Sequence, residues 1–309
     1  MAVYTQVPAE ELAALIARYG VGTLVSAKGI AEGVENSNYL VDTSEGRFIL
    51  TLYEKRVDAA DLPFFIALLD HLADRGSPVP RALPDRDGVQ IRQVAGRPAC
   101  LIEFLPGISP SRATPAQARS AGAALGRMHR ALAGFPLTRP NSLGLTGWRA
   151  LADRCGDQLD AIAPGLRQRV ADELAWLDTQ WPAALPCSVV HADLFPDNVL
   201  MLGDKVTGLI DFYFSCTEVR AWDLAVMHSA WAWAPDYDAA VGDALIAGYD
   251  AEHPRLAEER NAFPALARGA CLRFLLTRAW DWLNTPPDAL VTRKDPLAFL
   301  HRLDHYAAL

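Results

Sequence analysis

An α+β architecture, with a β-rich first third and a mainly helical remainder, is what this 309-residue chain predicts. Three observations carry that expectation. Between Gly22 and Lys55, β-branched and aromatic residues alternate with turn residues, as a strand meander requires. From Thr114 onward the apolar residues return at helical spacing. One stretch, "VVHADLFPDNVLMLGDKVTGLIDF" at 189–212, interrupts those helices with short strands and an unusual density of polar groups.

The elements follow in order. A helix is expected over Pro8–Tyr19, and "SEGR" joins Tyr39–Val41 to Phe48–Leu50 as a hairpin. Phe65, Leu68, Leu69 and Leu72 lie on one face of a helix over Leu62–Ala73. After the Pro/Gly loop "GSPVPRALPDRDG", "VQIRQVAGRPACLIEFLPG" reads as two more strands. Thr114-Pro115-Ala116-Gln117 combines a capping-box pattern with proline at the first helical position, so a helix runs from there to about Leu132. Further helices fit 147–161, 165–180, 221–233, 238–249 and a long apolar stretch over 255–283. The boundary falls at Leu105-Pro106-Gly107, giving a β-rich lobe, 1–105, and a helical lobe, 106–309, with a cleft expected between them.

Composition narrows the function. A net charge of −8 and the lack of a basic stripe argue against nucleic acid or an anionic membrane as partner. The opening residues lack a secretory signal pattern, and no apolar run approaches a membrane span. Five scattered cysteines without CxxC spacing fit buried free thiols in a reducing cytoplasm.

The chemistry concentrates in residues 189–212. Asp193 follows a strand, Asn198 begins the returning one, and Asp211 ends the next. Carboxylate and amide oxygens are hard ligands suited to Mg²⁺, and a free carboxylate beside them can take a proton from an attacking hydroxyl. His191-x-Asp193-x₄-Asn198 followed by Asp211 matches the kinase catalytic-loop spacing with its metal-binding aspartate. A polar hairpin turn is the plain alternative; the ordered set with strands on both sides outweighs it. Asp197 reads as exposed turn, and His191, considered alone, as a satisfied core histidine.

"HADLFPDNVLMLGDKVTGLIDFYFSCTEVRAWDLAV" resembles the aminoglycoside phosphotransferase/choline kinase superfamily, and within it the homoserine kinases of the kinase-like type. "KGIAEGVENSNYLV", "RFILTLYEKR", "PVPRALPDRDG", "LIEFLPG", "ALGRMH" and "RFLLTRAWDWLNTPPDALVTRKDPL" extend the resemblance over nearly the whole chain. It implies a bilobal protein-kinase-like fold and ATP-dependent phosphorylation of the L-homoserine hydroxyl in threonine biosynthesis, with Mg²⁺ as cofactor. It further implies Asp193 as catalytic base, Asn198 and Asp211 as metal ligands, and His191 and Asp223 as structural residues. Gly29, Gly33, Asn36, Ser37 and Asn38 correspond to the loop over the ATP phosphates, and the backbone near Glu103 and Leu105 to the adenine hinge.

One part departs from the pattern. Thr51 stands where related kinases carry a phosphate-binding lysine, leaving Lys28 or Lys55 to supply the charge; Arg56 reads as surface. Glu35, Tyr213, Arg273, Arg278 and Asp281 are the candidates for substrate recognition, although Arg278 and Asp281 equally fit a local i, i+3 ion pair. A kinase for another small hydroxyl substrate (an amino alcohol, sugar or aminoglycoside) is the alternative function. A non-catalytic nucleotide binder is a weaker one, because pure binding does not require Asp193, Asn198 and Asp211 together. The absence of DFG and APE motifs argues against a protein kinase.

Overall fold

The computed structural model describes residues 4–30, 36–54, 57–285 and 293–309. Gly33, Glu35, Lys55 and Arg56 therefore lie outside the described residues. The chain forms two compact units: residues 1–107 with 207–213, and residues 108–206 with 214–309. Thr207–Tyr213, assigned from sequence to the helical part, clusters with the first unit.

The first unit is built on a five-stranded antiparallel sheet. Its strands are β1 (Leu24–Gly29), β2 (Ser37–Thr43), β3 (Arg47–Leu52), β4 (Arg92–Val94) and β5 (Arg97–Glu103), in spatial order β1-β2-β3-β5-β4. The expected hairpin is β2–β3, with Tyr39 opposite Leu50 and Val41 opposite Phe48. Alternation then sorts the side chains between two cores. Val41, Leu50 and Leu101 face Leu12 and Ile16 of α1 (Ala9–Ile16), while Cys100 and Ile102 face Phe65 and Ile66 of α2 (Leu62–Asp74). Each fully buried leucine or isoleucine here contributes roughly 1.5–3 kcal/mol.

In the second unit α3 (Pro115–Ala131) starts with the predicted capping box: Thr114 accepts the Gln117 N–H, and Gln117 reaches back to the Thr114 N–H. The helices that follow are α4 (Leu145–Cys155), α5 (Leu159–Ile162) and α6 (Leu166–Gln180). Then come strands β6 (Cys187–Val190), β7 (Val199–Leu202), β8 (Lys205–Leu209), whose residues from Thr207 cluster with the first unit, and β9 (Cys216–Val219). The unit closes with α7 (Arg220–Trp231), α8 (Ala239–Glu252), α9 (Ala257–Asn261), α10 (Phe263–Asn284) and α11 (Leu297–Ala307). Helices α3 and α8 touch backbone to backbone: a Cβ on Gly122 would lie 2.0 Å from the Leu245 carbonyl oxygen, and one on Gly248 2.0 Å from that of Arg119. Only glycine permits that approach.

Three features differ from the sequence expectation. Strand β6 pairs antiparallel with β9, Cys187 opposite Val219 and Val190 opposite Cys216, whereas β7 pairs with β8. The four-residue β9 is too short to announce itself by alternation. The long apolar stretch breaks at Ala262, where Pro264 opens α10 at a position that tolerates its missing N–H. Cys187 is exposed, while Cys100, Cys155, Cys216 and Cys271 are buried free thiols. Among the described residues no helix is long and apolar enough to cross a membrane.

Candidate active site

The segment with the His191-Asp193-Asn198 spacing belongs to the second unit. It leaves β6 at His191 and passes through a single turn of 3₁₀ helix over Pro196–Asn198 into β7, which belongs to a different two-stranded sheet. Ala192 has φ 67°, the left-handed region that non-glycine residues rarely occupy. Such a residue costs on the order of 1–3 kcal/mol and persists only where its surroundings fix it. Asp223, in the first turn of α7, does so: its carboxylate accepts the His191 N–H at 2.7 Å and the Ala192 N–H at 2.8 Å. On the other side, the buried guanidinium of Arg273 donates to the Ala192 carbonyl.

Asp223 is fully buried, which by itself raises a carboxyl pKa. Its hydrogen bond to His129, together with the His191 side chain and the His191 N–H, more than offsets that and holds the carboxyl below its usual range. His129 Nε2 stands 3.0 Å from Asp223 Oδ2, and its Nδ1 2.8 Å from the Tyr249 hydroxyl. Tyr249, His129 and Asp223 thus form one buried polar chain ending on the loop backbone. Sequence reasoning missed this chain; no spacing signals it, because Tyr249 and His129 lie on the buried faces of two separate helices.

Asp193 emerges from this brace partly exposed. Its N–H donates to Nδ1 of the buried His191 at 3.2 Å. The nearest Arg273 nitrogen lies 3.9 Å from the Asp193 carboxylate. Asn198 donates through Nδ2 to the Asp193 carbonyl at 2.7 Å and to its carboxylate at 3.3 Å. That orientation turns a neutral hard oxygen, Asn198 Oδ1, away from Asp193. Trp231 locks the next residue by donating to the Leu194 carbonyl at 3.0 Å. Asp197 is exposed, 3.7 Å from the Lys294 ammonium, in keeping with turn material.

Arg278 stands on α10 with its guanidinium 4.5 Å from the centroid of the Phe299 ring. It donates to the Asp295 carbonyl at 3.1 Å rather than closing the i, i+3 ion pair with Asp281. Burial, with the charge of Arg302 second, lowers its pKa to about 10.

In the first unit, β8 delivers Asp211. Thr207 donates through its hydroxyl to the Pro106 carbonyl, and the Leu209 N–H to the Pro78 carbonyl at 2.7 Å. Asp211 itself has φ 66°. Of the three non-glycine residues with positive φ among those described, two are therefore Ala192 and Asp211, both inside the predicted motif. Tyr213 packs edge-on against Tyr53 and Phe65, its hydroxyl 3.2 Å from that of Tyr53. Burial raises its phenol pKa, with the Asp211 charge adding to the rise.

The sheet residues assigned to the nucleotide are mutually engaged. Ser37 is buried, accepts the Tyr4 and Thr5 N–H groups and donates to Glu54 at 2.7 Å. Asn36 accepts the Glu54 N–H at 3.3 Å, and Asn38 accepts from the Thr51 hydroxyl at 2.8 Å. Lys28 is exposed on β1, beside Gly29. The Glu103 N–H donates to the Arg81 carbonyl at 3.0 Å, and Leu105 is half-buried at the end of the unit. Among the described residues, no group of three or more His, Cys, Asp and Glu is arranged to hold a metal ion; the metal set expected from sequence has one aspartate and one asparagine.

The model of the phosphotransferase enzyme family matches residues 26–258. A homoserine kinase from Azorhizobium caulinodans is 52% identical over 311 aligned positions, covering 100% of this chain and 97% of the relative. One from Zymomonas mobilis is 54% identical, covering 99% and 97%. Among solved structures, amicoumacin kinase hAmiN in complex with AMP-PNP, Ca²⁺ and Ami superposes with a TM-score of 0.71 at 14% identity, over 97% of this chain and 92% of that one. A choline kinase from Cryptosporidium parvum gives 0.68 at 14% identity, over 97% and 95%. At such identities the superpositions speak for the kinase-like α+β fold alone.

Proposed function

This chain belongs to the phosphotransferase enzyme family, and from that membership we propose that it transfers the terminal phosphoryl group of ATP to the side-chain hydroxyl of L-homoserine, forming O-phospho-L-homoserine. The observation that carries the choice of substrate is identity of about half, end to end, with relatives named homoserine kinase. The reaction is a step of threonine biosynthesis, and the cysteine usage suits the cytoplasm.

Asp193 is the group for the substrate hydroxyl. It takes the hydroxyl proton as the oxygen–phosphorus bond forms and ADP leaves, and the locked backbone at Ala192 and Leu194 holds it in place for that task. Asn198 and Asp211 offer an amide oxygen and a carboxylate, a hard donor set that fits Mg²⁺. When bound there, the ion supplies charge neutralisation for the phosphate oxygens. Ala192 and Asp211 keep left-handed backbones that a purely structural turn would assign to glycine, which supports a functional reading of both.

For ATP, the loop from Gly29 through Gly33 to Asn36, Ser37 and Asn38 covers the phosphates, with Lys28 or Lys55 in place of the lysine that Thr51 replaces. The backbone at Glu103 and Leu105 meets adenine. For the amino acid, Arg278 or Arg273 is the cation for the carboxylate, with Glu35, Tyr213 and Asp281 as further contacts. Homoserine is zwitterionic, so a guanidinium fork is the suitable partner for its carboxylate.

A coupled ADP-release assay against homoserine, choline, simple sugars and aminoglycosides tests the proposal. Turnover dependent on homoserine supports it. Strong turnover on choline or an aminoglycoside with none on homoserine would contradict it.

A further inference from the structure

Most half-buried arginines of the second unit have acidic partners. Arg268 and Arg169 meet Glu173 at 2.7 and 2.8 Å, Arg220 meets Glu259 at 2.6 Å, and Arg255 meets Asp250 at 3.0 Å. Arg278 and Arg302 do not share this arrangement. Among the described residues no carboxylate lies within salt-bridge reach of either. Arg278 Nη1 donates to the Asp295 carbonyl at 3.1 Å, and Arg302 Nη1 to the Ser229 carbonyl at 2.7 Å. The two guanidiniums nevertheless stand against one ring, 4.5 and 4.3 Å from the centroid of Phe299.

Two like charges, both half-buried and set against the same ring, are costly to keep. The quadrupole of one aromatic ring returns only about 1–2 kcal/mol per cation. The cost is understandable if an anion completes the pair. The position of Phe299 indicates which anion. Its ring packs 5.1 Å from Phe274 and 6.1 Å from Phe195, and Phe195 lies two residues beyond Asp193 in the catalytic loop. Arg278 also lies within the electrostatic reach of Asp193 and Asp197.

We propose that Arg278 and Arg302, paired across Phe299, form a two-guanidinium clamp for the α-carboxylate of the substrate, and that Arg302 determines specificity for an amino acid over an amino alcohol. The proposal rests on the homoserine reading given above. It moves Arg273, buried under the Ala192 carbonyl, from substrate contact to positioning of the loop.

The test compares homoserine with 3-aminopropan-1-ol, the same molecule without its carboxylate, in wild type, Arg302→Gln and Arg302→Lys. Losing one charge-assisted carboxylate contact is expected to lower the homoserine-over-amino-alcohol ratio of kcat/KM about 10- to 100-fold in Arg302→Gln. The rise should fall on the homoserine KM rather than on kcat, and Arg302→Lys, which keeps the charge, should recover part of the ratio. Thermal melting of both variants separates lost binding from lost folding, and the lysine variant carries the comparison if the glutamine variant is unstable. A wild-type enzyme that phosphorylates homoserine, with variants whose ratio is unchanged, overturns the clamp alone. A wild-type enzyme inert toward homoserine overturns the homoserine reading and the clamp with it.

Discussion

Asp223 holds Ala192 in a left-handed conformation through a 2.8 Å hydrogen bond from the Ala192 N–H to its buried carboxylate. The relationship links the folding of α7 to the geometry of the next residue in the chain, Asp193. Asp223→Ala should leave two backbone donors and His129 without their acceptor and cost about 3–5 kcal/mol of stability. Chemical denaturation measures that loss, and unchanged stability would show that the brace is not energetically coupled to the fold.

The same carboxylate carries a pH dependence. Its folded pKa is depressed below that of a free aspartate, despite the opposing effect of burial, because of His129 and the loop donors. The stabilisation is therefore complete above the unfolded pKa of about 3.9 and is lost as pH falls below that value toward the folded one. Asp223→Asn should remove this acid-side dependence, as read by denaturation midpoints below pH 4 or so.

His228 gives a second, separate acid limb. Burial, aided by the charges of His305 and Arg255, lowers its pKa from 6.5 to about 4, while its Nδ1 meets the Tyr306 hydroxyl at 2.6 Å. The unfolded chain binds the proton more readily than the folded one, so stability is full above pH 6.5 and falls between there and about pH 4. At about 1.4 kcal/mol per pH unit the loss is on the order of 3 kcal/mol. Stability profiles of wild type and His228→Gln should diverge in that window, and parallel profiles would contradict the assignment.

Phosphate binding yields a prediction by substitution. Thr51 is buried and tied to Asn38, so Thr51→Ala should change the KM for ATP little. Lys28→Ala or Lys55→Ala should raise it, since either lysine is the proposed source of positive charge. Unaltered ATP KM in both lysine variants would leave the phosphates to backbone N–H groups and the metal ion.

Much of this was legible in the sequence where a local rule governs. The Thr114 capping box, the β2–β3 hairpin and the His191-Asp193-Asn198-Asp211 spacing all follow from residues near one another in the chain. What stayed hidden depends on distant partners. The pairing of β6 with β9, the chain from Tyr249 through His129 to Asp223, and the burial of Arg273 each join residues separated by many others. The same side chain, Arg273, reads as a substrate cation on a helical projection and as a loop brace once its neighbours are known.

The central claim is that Asp193 accepts the proton of the substrate hydroxyl, and the turnover of Asp193→Asn on homoserine with MgATP tests it most directly. The substitution keeps the size of the side chain and its backbone bond to His191. The account predicts a fall in kcat of at least about 10²–10⁴-fold with ATP binding nearly intact. Near-normal turnover by this variant would contradict it.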